Sequence, residues 1–333
     1  AIGLGVVGAL MLSVFGNLEG MFEMLHTWGI GSDGFWESVG IKGLETQSSG
    51  STFFPSDGWW WWRSSRVIDT VVAGSSLDYT IQEYPFFSTY LGDLHPHVMS
   101  IPFVLLLLAF SLNLLAGTVP VTVDWIRAHC FTAGMIGLTL GALGFINAWD
   151  LPVFLAVLFG VIALKAYGAL RNGWRGDYAL GALVLAGIIL FLAVVPYVPY
   201  YASLNGQVKG IDSVSTPGSS IFHFAVVWGV FLAALAPFLL LTLVHWREWL
   251  RGRLTMIVAG ALALTPFVLW FVIALVRGDA ESVADRLLVA FPLALILAML
   301  LARTMQSSVN RDGFPSVFIF GVLAVNVALV MGS

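Results

Sequence analysis

The chain has 333 residues, 59% hydrophobic and 10% charged, with a formal net charge of −4 and a mean hydropathy of +0.91. These values lie far outside the range of soluble domains and require a polytopic membrane protein; no basic stretch suggests nucleic acid. The lone cysteine, Cys130, excludes an internal disulfide framework and any multi-cysteine zinc cluster.

Taken in chain order with a window of about 19 residues, apolar stretches fall near 1–15, 100–116, 130–146, 151–168, 178–197, 221–244, 254–276, 286–302 and 315–331. The pattern predicts an all-α, polytopic transmembrane helical bundle of about nine spans, a single transmembrane domain over 1–333 with one long loop at 16–99. Several stretches are short for a bilayer, and Pro102, Pro152, Pro237, Pro266 and Pro292 lie in or near them. The first stretch has no initiator Met, basic n-region or small-residue cleavage site, so it does not read as a signal peptide. The chain reads as an internal fragment of a longer protein.

The loop at 16–99 is too long for a passive connection and too polar for a span. It opens with GNLEGMFEMLHTW, where Leu18, Phe22, Leu25 and Trp28 alternate at helical spacing with Glu19, Glu23 and His26. That pattern predicts an amphipathic helix lying on the membrane surface. The middle, from Gly29 to Ser56, is rich in Gly, Ser and Thr and reads as irregular structure.

Four tryptophans follow, Trp59, Trp60, Trp61 and Trp62, then Arg63 and Arg66. They suit an interfacial anchor, since indole combines an apolar body with one N–H donor. They suit equally a substrate site in which the arginines hold a phosphate beside an aromatic surface for an isoprenoid or acyl chain.

At the loop's end, EYPFFSTYLGDLHPHV places Glu83, Asp93, His95 and His97 directly before an apolar helix. Charged groups there are expensive unless they act. An extended backbone through Pro96 would point Asp93, His95 and His97 to one face. That arrangement suits a divalent metal cation held by one carboxylate and two imidazoles. The same residues suit a histidine base oriented by Asp93, or a plain Asp93 helix cap with interfacial histidines.

With 16–99 placed outside, the short inner loops hold Arg127, Lys165, Arg171, Arg175, Arg247, Arg251, Arg253, Arg303 and Arg311 out of 15 basic residues. This satisfies the positive-inside rule, makes 16–99 extracytoplasmic in a plasma-membrane protein, and collects GDLHPH, NAWD and PYVPYY on the outer face. Asn147 suits a turn before Pro152, whereas Asp150 could share a cation or an acceptor hydroxyl. Tyr200 and Tyr201 suit either an aromatic belt or a substrate contact.

GNLEG at 16–20, WWWWRSSRVID at 59–69, EYPFFSTYLGDLHPHV at 83–98 and FINAWDLP at 145–152 together resemble the uncharacterised prokaryotic membrane proteins known for a tyrosine-triplet, or YYY, motif. That family is grouped with the C-type fold glycosyltransferases, multi-span enzymes that use polyprenyl-phosphate-linked sugars outside the membrane. The resemblance implies a sugar donor of that kind and a glycosyltransferase activity. The YYY segment, which the resemblance places upstream of GNLEG, is absent, so the catalytic base implied for a first outer loop would lie outside this chain.

The leading expectation is therefore sugar transfer from a polyprenyl-phosphate donor, among membrane lipids, to an outer-face acceptor. Glu83, Asp93 and Asp150 are the candidate catalytic carboxylates; Trp59 to Trp62, Arg63, Arg66, Asn147, Tyr200 and Tyr201 are the candidate substrate contacts; Asp93, His95 and His97 are the candidate metal ligands. An ion- or proton-coupled transporter would need ionisable groups deep inside the spans, which are clean. A non-catalytic lipid-binding scaffold would need the aromatic loop but not the D-x-H-x-H cluster.

Overall fold

The computed structural model describes residues 2–72, 75–79, 81–82, 85–171, 173, 176–204, 220–244, 253–277, 291, 294–306 and 321. Glu83, most of the span expected at 315–331 and the start of that at 286–302 lie outside the described residues. Two compact units make up the chain: residues 1–98, 214–243 and 279–289, and residues 99–213, 244–278 and 290–333.

The first unit holds α1 (Ile2–Leu10), a π-helical turn (Met11–Phe15), α2 (Glu19–Thr27), α3 (Asp33–Val39), α4 (Trp60–Arg63), β1 (Asp69–Val72), β2 (Ser75–Tyr79) and α5 (Pro85–Leu91). The second holds most of α6 (Pro96–Ala116), then α7 (Val123–Ala128), α8 (Cys130–Ile146), α9 (Asp150–Arg171), α10 (Gly176–Val194), a 3-10 turn (Val195–Tyr197) and α11 (Val198–Ser203). α12 (Ile221–Val244) returns to the first unit, and α13 (Arg253–Arg277) and α14 (Ala294–Gln306) belong to the second.

Among the described residues, three segments are long and apolar enough to cross a membrane: Pro96–Ala116 and Asp150–Leu170, with 21 residues each, and Gly176–Ser203, with 28. At about 1.5 Å per residue, 21 residues span about 30 Å, the thickness of a hydrocarbon core. Shorter apolar helices cover Ile2–Ser13, Cys130–Ile146, Ile221–Ala234, Arg253–Thr265 and Ala294–Gln306. The protein is thus all-α in its main body, with at least three helices of spanning length.

The loop at 16–99 is more ordered than its composition suggests. Within the stretch read as irregular, α3 is closed at both ends: the Ser32 hydroxyl accepts the Phe35 N–H at 3.3 Å, and Gly40 adopts the left-handed conformation, φ +61°, that ends the helix. β1 and β2 form an antiparallel hairpin that the sequence reading did not anticipate, with Asp69 opposite Tyr79 and Val72 opposite Ser75. Around Trp36, which is fully buried, pack Phe22, Val39, Ile41, Leu44 and Val67, together with Val226 and Val227 from α12. His223 on α12 approaches the Val39 carbonyl at 3.0 Å, and the Leu18 N–H donates to the Val226 carbonyl at 2.9 Å.

The second unit's core is aliphatic, with Leu107, Ile136, Leu140, Leu143, Leu158, Leu185 and Ile189 all nearly or fully inaccessible. Close packing of α8 against α10 depends on glycines. A Cβ at Gly137 would lie 2.7 Å from the Leu192 Cβ, and one at Gly141 would overlap the Tyr197 ring and lie 2.7 Å from the Ala193 carbonyl oxygen. Tyr197 in turn donates its hydroxyl to the Leu138 carbonyl at 2.9 Å. Gly134, on the same helix, faces open space.

This difference sets a matched test. Gly141→Leu should cost at least about 1–3 kcal/mol through overpacking and lower the thermal midpoint of the detergent-solubilised protein. Gly134→Leu should leave the midpoint unchanged or raise it, because Leu has the better helix propensity by up to about 1 kcal/mol.

Candidate functional site

The GNLEG segment and the tryptophan–arginine segment, far apart in sequence, meet in the first unit. Asn17 donates its side-chain N–H to the Ser64 carbonyl at 2.7 Å, while its oxygen accepts the Glu19 N–H at 3.1 Å. Asn17 thereby turns the chain into α2 and ties its start to the end of α4. One turn later, Glu23 receives two bonds from Arg63: one from Nε to Oε1 and one from Nη2 to Oε2 at 3.1 Å. Such two-pronged guanidinium–carboxylate contacts fix orientation as well as charge. The remaining Arg63 nitrogen, Nη1, reaches Asp57 at 2.5 Å.

The surface helix expected here is consequently a buried one on its acidic side. Glu19 is 0% exposed and Glu23 is 1% exposed. Burial, then the negative charge of Glu23 and a hydrogen bond shared with it, push the Glu19 carboxyl well above the ordinary 4.5, against the lowering effect of Arg63. Asp57 has the opposite environment: the Trp59 backbone N–H and then the Arg63 guanidinium hold its carboxyl below the usual 3.8.

The four tryptophans divide their roles. Trp60 is buried between Phe54 and Tyr90, with ring centroids 5.2 Å from each. Trp61 stacks nearly parallel to Phe87 at 6.2 Å and donates its indole N–H to the Gly58 carbonyl at 2.9 Å. Trp62 meets Phe87 edge-on and carries the Arg66 guanidinium 4.2 Å above its ring, a cation–π contact. Trp59 alone turns outward, 64% exposed. Arg66 also donates to the Ser65 carbonyl and hydroxyl at 2.9 and 2.8 Å.

Phe87 links this aromatic wall to the histidines. Its ring lies 4.7 Å from His95, edge-on, and 6.2 Å from His97. His95 Nδ1 lies 3.1 Å from Asp93 Oδ2, at hydrogen-bond distance but off its ideal line. His97 Nε2 is 3.2 Å from the Ser88 hydroxyl on α5, and the Ser88 carbonyl accepts the Asp93 N–H at 2.9 Å. The backbone turns helical at Pro96, so extended geometry does not continue through to His97. Pro96 opens α6, where its fixed φ is preorganised and its missing N–H costs nothing, so His97 lies in the first helical turn. Asp93 and His95 pair, while His97 turns to Ser88. Among the described residues no group of three His, Cys, Asp or Glu side chains is placed to hold a metal ion.

Asn147, Asp150, Tyr200 and Tyr201 belong to the second unit. Asn147 accepts the Trp149 N–H on its side chain at 3.4 Å and the Asp150 N–H on its carbonyl at 3.1 Å, a turn-forming role. Asp150 opens α9, favourably placed at the positive end of the helix. Tyr200 packs edge-on against Phe145 at 4.6 Å and lies 5.3 Å from Tyr201.

Glu19 and Glu23 are the site residues that the sequence reading missed. Their spacing of four on a helix gave the ordinary signature of a polar face. The signal that could have found them is their coincidence with an arginine-bearing aromatic run in a chain otherwise poor in charge.

The fold and this site define a multi-helix membrane protein whose loop residues build a packed unit with a buried ionic centre and an aromatic–histidine wall. The chain belongs to the family described as uncharacterized membrane protein (DUF2298), whose family model matches residues 1–331. No curated protein and no solved structure matches it.

Removing Arg63 should leave the Glu23 charge buried without its counter-ion. Arg63→Ala is expected to cost about 3–5 kcal/mol, whereas Asp57→Asn, at a half-exposed group, should cost less than about 1 kcal/mol. Unfolding of both variants in detergent, followed by circular dichroism, measures the difference.

Proposed function

We propose that this protein is a membrane glycosyltransferase that moves a sugar from a polyprenyl-phosphate donor to an acceptor hydroxyl at the outer face of the membrane. The observation that carries this reading is the Asp93–His95 pair beside the aromatic wall at the mouth of α6. The resemblance of the ordered motifs to the YYY family and the C-type enzymes supplies the substrate class. In this reading nine spans place 16–99 outside, with the arginine-rich short loops inside.

Asp93 beside His95 Nδ1 favours the tautomer with its proton on Nδ1, which leaves Nε2 as the basic nitrogen. As the acceptor oxygen bonds to the anomeric carbon, the bond from that carbon to the phosphate oxygen breaks. The hydroxyl proton passes to His95 Nε2, and Asp93 stabilises the resulting imidazolium. The departing polyprenyl phosphate keeps its oxygen and both bonding electrons. His97 and Arg66 supply N–H donors and positive charge for that phosphate, and the outward Trp59 gives the isoprenoid chain an apolar surface. Arg63, committed to Glu23 and Asp57, acts by holding the platform rather than by gripping substrate. No step runs through a cation.

Transfer from a radiolabelled polyprenyl-phosphate sugar in proteoliposomes tests the reading. His95→Ala is expected to reduce the rate by about 10²–10⁴-fold, the usual contribution of a positioned base, and Asp93→Asn and His97→Ala should also reduce it. The same assay on Glu83→Gln and Asp150→Asn identifies any carboxylate the transfer needs, and chelation reports metal dependence. Undiminished transfer in the Asp93, His95 and His97 variants would sink the proposed centre.

A further inference from the structure

The buried carboxyls of α2 have a chemistry that the transfer reading does not use. Glu19 is wholly inaccessible, and no donor group of the described residues reaches either of its carboxylate oxygens. An ionised carboxylate only accepts hydrogen bonds, so this environment offers it nothing in exchange for its lost hydration. Glu23, one helical turn away, is equally buried, and both its oxygens are taken by Arg63. With both glutamates ionised, two buried negative charges face one guanidinium. With one proton added, the buried centre is neutral, and Glu19 becomes a donor that can bond to Glu23, one turn along the same helix.

We propose that Glu19 and Glu23 together hold one proton, as a carboxyl–carboxylate pair clamped by Arg63, and that this pair is a proton-binding site of the first unit. The neighbouring ionisable groups do not replace the proton. Asp57 faces Arg63 from the far side, Glu45 accepts the Gly43 N–H at 2.8 Å, and His223 on α12 is directed to the Val39 carbonyl at 3.0 Å. Loss of the proton places like charges in contact inside the joint between α2 and α4.

The sign of the pH dependence follows from the raised Glu19 value. The folded state keeps a proton that the unfolded chain has already released, so the stabilising contribution is complete below the ordinary 4.5 and is lost as pH rises through the folded value. Glu19→Gln keeps the donor, the shape and the neutrality without a titrating group.

Two measurements on the full chain in detergent test the proposal. Infrared spectra should show a protonated carboxyl C=O band, shifted by deuterium exchange, in the wild type but not in Glu19→Gln, and this band should fade as pH is raised. The thermal midpoint of the wild type should fall from about pH 5 to about pH 8, while that of Glu19→Gln stays level over the same interval. Superimposable spectra at every pH would overturn the proposal. So would a wild-type midpoint that rises with sodium or calcium at constant ionic strength while that of Glu19→Gln does not, because a cation would then be neutralising the centre. If Glu19→Gln fails to fold, the wild-type band and its pH titration decide alone, and absence of a titrating band overturns the assignment.

Discussion

A charge removed from water must find its partner inside, and in this protein that demand falls on Arg63. Its guanidinium joins Glu23 of α2 to Asp57 and to the tryptophans of α4. The joint fixes α2 beside α4, and from α4 the contacts run through Trp61 and Trp62 to Phe87 and then to His95. The guanidinium that the sequence offers to a phosphate is paired in the fold with Glu23 and Asp57. The more exposed partner, Asp57, adds orientation but little energy, since water screens it.

The same economy of charge shapes the mouth of α6. Asp93, His95 and His97 stand at the start of an apolar helix, and each has a neighbour: Asp93 with His95, and His97 with Ser88. Ser88 touches both halves of the motif, through its carbonyl and through its hydroxyl. The helix starting at Pro96 carries His97 to Ser88, apart from the Asp93–His95 pair.

What could be read in advance was local or periodic. The hydropathy of Pro96–Ala116, the turn at Asn147 and the pairing of Asp93 with a nearby histidine depend on residues within a few positions of one another. The buried state of Glu19 and Glu23 depends on Arg63, forty positions away from Glu23, and no helical periodicity can encode that. The extended geometry expected around Pro96 failed for a definite reason. Proline restricts the residue before it, but at a first helical position it promotes the helix after it. The hairpin at Asp69–Tyr79 was hidden because its strands are only 4 and 5 residues long, too short for alternation to stand out. Which glycines of α8 are needed depends on what faces them, Tyr197 and Ala193 at Gly141, and those residues lie far along the chain.

The share of α12 in the core around Trp36 sets an order of events. Val226 and Val227 complete a cluster whose residues outside α12 lie between Leu18 and Phe86, and 184 positions separate His223 from Val39. A ribosome has therefore delivered the whole of the second unit's first helices before the first unit can close. Until then Trp36 and its neighbours lack their final covering, and closure requires a long-range encounter of the kind that slows folding. During biogenesis the first unit to emerge must wait for a segment made much later, and a stalled or truncated chain ending before residue 221 would expose its apolar core to the quality-control machinery.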